Sequence, residues 1–331
     1  MKHRSSGSMS LKKAIVGFVN HKLAEGLSTR SVDSYERILQ KWIERTGDKE
    51  ISEVTTHEIK SYLAWLRTEY KPVRFNAKTH PLSPKTIRNV WVTLASFFKW
   101  ASVEFGITDP MTDIPAPRFK VAPVEAFSKE EIESLIKACT HTREADTMFR
   151  RSYTFRRPTA RRDRAIILTL VDTGLRASEL CSLRIEYINL KSGRVEIVHG
   201  IQGGAKGGKG RTVFLGKATR RAVWRYLAHR EDGEDPLAPL FLSKEDRPMT
   251  PNGLRHLIKR LAKKAGVENA YPHKFRHTFS ITYLRSGGDI FTLQSLLGHT
   301  SLDMVRHYAQ IAEVDIQQAH RKASPADNWR L

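Results

Sequence analysis

The sequence predicts a mainly α chain in two parts: a helical module over residues 10–106 and an α+β domain over 127–331 with a small antiparallel three-stranded sheet. A linker over 107–126 joins them. Three observations carry this expectation. Residues 10–105 fall into four apolar-periodic segments separated by turn residues. The run ITDPMTDIPAPRFKVAPVEA holds four prolines and no sustained period. Between Leu183 and Gly216 the pattern shifts to alternation with period two.

The first segment, LKKAIVGFVNHKLAEG, puts Leu11, Ile15, Phe18, Val19 and Leu23 on one face and ends at Gly26. Ser28 reads as the N-cap of a second helix with Tyr35, Ile38, Leu39, Trp42 and Ile43 as its stripe. A third starts at Thr55 or Thr56, with Glu58 placed for a capping box, and runs through Ile59, Tyr62, Leu63 and Leu66. Ser83 and Pro84 open the fourth as N-cap and first helical residue. Four helices and no strand are expected here. Lys12, Lys13, Arg30, Arg37, Lys85 and Arg88 lie at helix starts or on polar faces, where a phosphate backbone or plain solvent would suit them.

The second part opens on FSKEEIESLIKAC, with Ser128 and Glu131 as a capping box. The arginine-rich stretch from Thr140 to Arg164 reads as a DNA-contacting loop or a solvated insertion, with Tyr153 and Phe155 among its cations. AIILTLVDTGLRASEL reads as a buried helix, a turn at Gly174 and a second helix start carrying Arg176. LRIEYINL, RVEIVHG and GRTVFLG supply the three strands. Helices resume at KATRRAVWRYLAHR, at TPNGLRHLIKRLAKKAG with Thr250 as N-cap, through Tyr271–Gln310, and over 314–321.

With 331 residues, two domains are the natural division. The 56 Lys+Arg against 35 Asp+Glu leave a formal charge of +21, which points to a polyanionic partner. The cations are spread along the chain instead of lining one amphipathic helix, which argues against a membrane surface. No apolar run approaches the roughly twenty residues of a membrane span. Cys139 and Cys181, the only cysteines, are too few for a disulfide framework and fit packing in a reducing cytoplasm. Residues 1–8 read as a tail ahead of Met9.

Residues Tyr271–Gln310 concentrate His273, Arg276, His299 and Tyr308. His273 and Arg276 are spaced i, i+3, so a proton acceptor and a guanidinium fork project together. His277, His299 and His307 raise the question of zinc. The residues between His273 and His277 are Lys-Phe-Arg, with no glutamate and two repelling cations, so no metal is expected; His277 and His307 are read as packing residues.

TGLRASEL, KGGKGR, HKFRHTF and LLGHTSLDMVRHY, in this order behind a proline-bearing linker, resemble the tyrosine recombinase (phage integrase) family over about Leu11 to Arg321. The resemblance implies a SAM-like core-binding domain followed by a catalytic domain. It implies a catalytic set of Arg176, Lys206, His273, Arg276, His299 and the nucleophile Tyr308, with Glu179 in the associated acidic position. Lys209 is the alternative to Lys206, because the turn HGIQGGAKGGKGR is longer and richer in glycine than the family's usual one. It further implies double-stranded DNA with paired core sites, a homotetramer on two duplexes, a Holliday junction, and no metal or nucleotide cofactor.

The chemistry suits the residue types. Two arginines and a histidine answer the charge of a pentacovalent phosphate. A tyrosine hydroxyl of pKa near 10 needs a base such as His273, and Lys206 can protonate the leaving 5′ oxygen. Integration or excision of a mobile element is the leading role, on the weak cue of the ending HRKASPADNWRL. A chromosome-dimer resolvase, a type IB topoisomerase-like enzyme and a non-catalytic DNA-binding protein are the alternatives.

Overall fold

The computed structural model describes residues 9–72, 80–119, 125–141, 145–147, 150–153, 155–198, 210–298, 308 and 324–329. The chain divides into two compact units, one ending at Ala122 and the other starting at Pro123.

The first unit holds α1 (Leu11–Ala24), α2 (Thr29–Thr46), α3 (Thr56–Thr68) and α4 (Pro84–Phe105). Each begins where a hydroxyl can satisfy an otherwise orphaned backbone N–H. Ser10, Ser28 and Ser83 accept from the amide three residues on, and Thr55 with Glu58 completes a reciprocal capping box. The core is aromatic. Phe18, Trp42, Phe97 and Phe98 are fully buried, with Phe18 edge-on to Phe97 and Trp42 edge-on to Phe98, both at 5.5 Å. Leu23, expected on the apolar face of α1, is instead exposed, because α1 ends at Ala24 and its last turn runs past the core. Val32 of α2 is buried in addition to the expected stripe.

Ile107, Met111 and Ile114 pack onto this helical core, and the Trp91 indole N–H donates to the Ile114 carbonyl at 3.0 Å. Arg88 donates to the Pro117 carbonyl at 3.2 Å. That cation serves structure, whereas Lys12, Lys13, Arg30, Arg37 and Lys85 are exposed.

The second unit contains α5 (Lys129–Thr140), the short pair β1 (Ala145–Thr147) and β2 (Arg150–Tyr153), α6 (Ala160–Thr173) and α7 (Ala177–Ser182). Then come β3 (Ile188–Asn189), β4 (Arg194–Ile197), β5 (Arg211–Phe214), α8 (Lys217–Leu227), α9 (Pro251–Ala265), α10 (Pro272–Arg285), α11 (Ile290–Leu297) and α12 (Pro325–Trp329). The expected sheet is present, with antiparallel order β3-β4-β5 and Val195 opposite Val213. Val195, Ile197 and Val213 turn their buried side chains into a core built on α6 and shared with α5, α8 and α9. β3 is shorter than LRIEYINL suggests, because Ile185–Tyr187 wind into a 3₁₀ turn before the strand begins.

The arginine-rich stretch read from sequence as a loop forms the antiparallel pair β1-β2. Two of its arginines are structural: Arg157 and Arg162 both pair with the fully buried Asp163, at 2.7 and 2.8 Å, and Arg162 also donates to the Leu242 carbonyl. The buried carboxylate therefore anchors both cations within the fold. Arg161 and Arg164 remain exposed. The helix expected over 314–321 lies outside the described residues, and α12 is a short element not anticipated from sequence. Burial lifts both thiols, Cys139 and Cys181, to a pKa of about 12, as expected of packed residues. Among the described residues no helix is long and apolar enough to cross a membrane.

Candidate active site

Four segments of the second unit converge through backbone geometry that starts at two glycines. Gly174 ends α6 in the left-handed conformation at φ +60°, and a Cβ there would stand 2.5 Å from Phe279 Cδ1. Gly298 ends α11 at φ +63°, with Arg211 Cδ 3.1 Å from the place of a Cβ. Only glycine takes both the conformation and the crowding without strain.

These two helix ends expose carbonyls with no intrahelical partner, and arginines satisfy them. Arg276, fully buried on α10, donates from Nη1 to the Gly174 carbonyl at 2.9 Å and from Nη2 to the Leu297 carbonyl at 2.7 Å. A guanidinium at two helix C-termini is favoured by both dipoles. Burial, and next the Arg176 charge, pull its pKa down to about 9, so it stays a cation at neutral pH. Arg211 of β5 donates from Nε to the Leu296 carbonyl at 2.7 Å.

Arg176 sits at the N-cap of α7 with a side chain about a quarter open to solvent, at 28% exposure. Its Nη1 donates to Glu179 Oε1 at 2.8 Å, and its backbone N–H donates to Oε2 at 2.8 Å. Glu179 is wholly buried, and Arg211 closes on both of its oxygens. Burial alone would raise the Glu179 pKa, but hydrogen bonds and charge from Arg211, then from Arg176, hold it at about 2. It is therefore an anion that fixes two cations.

Tyr308 is 3% exposed. Its ring packs with Ile281 and Leu284 of α10 and Leu293 and Leu297 of α11. Burial raises its pKa above the ordinary 10, against the pull of Arg276, a hydrogen bond from Ser280, and Arg176. The phenol is protonated at neutral pH and needs help to become a nucleophile. His277 Nδ1 lies 2.8 Å from the Tyr308 hydroxyl oxygen. The His273 ring stands edge-on to His277, with centroids 4.4 Å apart. His273 opens to solvent at the rim, and partial desolvation, then Arg276 and Arg176, lower its pKa, leaving it neutral at pH 7.

Arg176, Glu179, His273, Arg276 and Tyr308 are thus brought together by hydrogen bonds and mutual electrostatics. Lys206, Lys209, His299 and His307 lie outside the described residues. His277, read from sequence as a packing residue, packs on the Tyr308 ring and hydrogen-bonds its hydroxyl. The signal was available: His273, Arg276, His277, Ser280, Ile281 and Leu284 fall on one face of a helix at 3.6 residues per turn. Arg211 was not anticipated at all, since a buried arginine on a four-residue strand has no periodicity to mark it. A buried tyrosine hydroxyl beside two histidines and two arginines is equipped to attack a phosphodiester and bear its charge.

The phage integrase family matches residues 125–314, and its N-terminal SAM-like domain matches residues 17–104. The chain belongs to the phage integrase family. It is a tyrosine recombinase of the Xer and integrase type. Tyrosine recombinase XerC of Alcanivorax borkumensis is 30% identical over 97% of this chain and 96% of its own. Tyrosine recombinase XerA of Thermococcus kodakarensis is 27% identical over 90% and 91%. Among solved structures, the Tn1549 transposon integrase in complex with a circular intermediate DNA superposes with a TM-score of 0.70 at 20% identity, over 91% of this chain and 95% of that one. A lambda integrase dimer bound to a core site gives 0.68 at 18%, over 93% and 81%. At these identities the superpositions establish the shared phage integrase fold.

Proposed function

We propose that this chain is a site-specific recombinase that cleaves double-stranded DNA through a 3′-phosphotyrosyl bond to Tyr308 and rejoins it to a partner strand by way of a Holliday junction. The observation that carries the reading is the Tyr308 hydroxyl, buried against His277 and within the field of Arg276 and Arg176. Residues 10–106 act as the core-binding domain and 127–331 as the catalytic domain, joined through 107–126.

Each residue then has a role. Arg176 and Arg276 hold the non-bridging oxygens, and His299 adds a hydrogen bond to them. The Tyr308 oxygen forms its bond to phosphorus as its proton passes to a histidine of α10. The bond to the 5′ oxygen breaks, and that oxygen takes a proton from Lys206. Attack by the 5′-OH of another strand reverses the sequence and reseals the backbone without an outside energy source.

The charge of +21 supports a duplex partner. So do two adjoining basic clefts of about 540 Å³ each, both lined by Arg162, Ser243, Lys244 and Arg260. The assembly is a homotetramer on two duplexes with paired core sites in the cytoplasm, and its role is integration or excision of a mobile element. The 30% identity to XerC favours a second reading, chromosome-dimer resolution.

The test uses a core site selected by the protein from random-sequence DNA and rebuilt as a nicked suicide duplex. The wild type is expected to form a covalent adduct and to exchange strands between two sites, and Tyr308→Phe to form none. Supercoil relaxation without exchange would replace the reading with a topoisomerase, and DNA binding without any adduct with a non-catalytic protein. Paired inverted repeats flanking the gene favour the mobile element; a single chromosomal site near the replication terminus favours the resolvase.

A further inference from the structure

We propose that His277, rather than His273, takes the Tyr308 proton as that oxygen attacks the scissile phosphate. The inference rests on the recombinase reading and names the base within it.

Geometry separates the two histidines. His277 Nδ1 is 2.8 Å from the hydroxyl oxygen, in hydrogen-bond contact. His273 meets the edge of the His277 ring at 4.4 Å between centroids and lies at the open rim, where an incoming phosphate would arrive. The Tyr308 ring is wedged among Ile281, Leu284, Leu293 and Leu297, so its hydroxyl is aimed by packing. At 3% exposure it has little solvent to take its proton. Burial also keeps the phenol less acidic than free tyrosine, which makes a touching base more necessary.

The step needs the Nε2–H tautomer of His277, in which Nδ1 carries the free lone pair and the Tyr308 hydroxyl donates to it. As the oxygen–phosphorus bond forms, the phenol O–H breaks and the proton moves to Nδ1. The phosphorus–O5′ bond breaks, and O5′ takes a proton from the Lys206 ammonium. On resealing, Lys206 recovers its proton from the attacking 5′-OH and the departing phenolate recovers its own from His277. His273 is left free to hydrogen-bond the phosphate.

The experiment follows single-turnover adduct formation on the suicide duplex. His277→Ala is expected to slow it by about 100-fold or more, the usual contribution of a positioned base. His277→Asn offers an amide oxygen that can accept the hydrogen bond but not the proton, and is expected to stay slow. Replacing Tyr308 with 3,5-difluorotyrosine, whose phenol is more acidic, should restore more of the rate in His277→Ala than it adds in the wild type. A 5′-bridging phosphorothiolate, whose sulfur leaves without a proton, should rescue Lys206→Ala and not His277→Ala.

Melting temperature and duplex affinity confirm that each variant is folded, and if His277→Ala is not, His277→Asn carries the comparison. Wild-type speed in His277→Ala, full recovery in His277→Asn, or rescue of His277→Ala by the phosphorothiolate would each overturn the inference and leave the recombinase reading intact. A wild-type chain that forms no adduct would overturn both.

Discussion

Arg211 grips Glu179 with both arms of its guanidinium, Nη1 at 2.9 Å from Oε1 and Nη2 at 2.7 Å from Oε2, while its Nε reaches the Leu296 carbonyl. One side chain thereby ties β5 to the α7 turn that carries Arg176 and to the end of α11 just before His299. Removing one partner of a buried ion pair strands the other, at a cost of about 3–5 kcal/mol. Arg211→Ala is expected to lose stability in that range by chemical denaturation. Arg211→Lys keeps the charge but not the fork, and should lose less. Arg211 and Arg176 share Glu179, so on the proposed reading a folded Arg211→Lys should misplace Arg176 and cleave an ordinary phosphodiester slowly. On a neutral methylphosphonate, which relaxes the need for a well-placed Arg176, its deficit should narrow. Equal deficits on both substrates would remove Arg211 from the positioning role.

Glu179 also sets an acid limit. Its pKa is held at about 2 in the folded chain against an ordinary 4.5. A depressed carboxylate pKa contributes stability that is complete above the unfolded value and is lost as pH falls through the folded one. The contribution, on the order of 3 kcal/mol for a shift of this size, should therefore drain away between about pH 4.5 and about pH 2. Denaturation midpoints across that window are expected to fall more steeply for the wild type than for Glu179→Gln, which has no such proton to bind. Parallel profiles would count against the pair as the acid-sensitive element.

The sequence made legible whatever depended on local chemistry. The caps at Ser28, Thr55, Ser83, Ser128 and Thr250 all form, because a hydroxyl three residues ahead of an amide competes for no distant partner. The Gly174 turn and the cofacial His273 and Arg276 follow from φ and from helical period in the same way. Long-range pairing was hidden. Arg157 and Arg162 lie in a stretch that reads as a DNA-contacting loop or a solvated insertion, and only the fold pairs them with the buried Asp163; Arg211 has no local signature because its partners lie 32 and 85 residues away. The contact of His277 with Tyr308, 31 residues on, is likewise made only by the fold.

His273 provides a check on the electrostatics of the rim. Desolvation, then the charges of Arg276 and Arg176, lower its pKa below the ordinary 6.5. A lowered histidine pKa means the ring is already neutral at pH 7 and takes up its proton only in more acidic solution. In the DNA-free protein, the His273 ring resonances are expected to titrate with a midpoint below 6.5 by NMR. In Arg176→Ala that midpoint should rise, since one of the repelling cations is gone. A midpoint unmoved by Arg176→Ala would mean that Arg176 does not act on this ring.

Gly174 is the point where backbone conformation and catalytic geometry meet. Its φ of +60° is one that side-chain-bearing residues adopt at a cost of about 1–3 kcal/mol. A Cβ would in addition lie 2.5 Å from Phe279 Cδ1 and 3.2 Å from Leu297 Cδ2, so α10 and α11 would both have to give way. The carbonyl of this same residue accepts the Arg276 Nη1 bond, and Leu297 supplies the acceptor for Nη2. Gly174→Ala is thus expected to displace both anchors of Arg276 together, where Gly266→Ala, at a similar φ of +68° with nothing within 4 Å, costs only the backbone strain. Both variants should melt below the wild type, Gly174→Ala more so. On the proposed reading, in which Arg276 holds the phosphate, Gly174→Ala alone should lose cleavage on the suicide duplex, because only there does the strain reach the anchors of that guanidinium. Equal cleavage by the two variants would show that Arg276 holds its place without the Gly174 carbonyl.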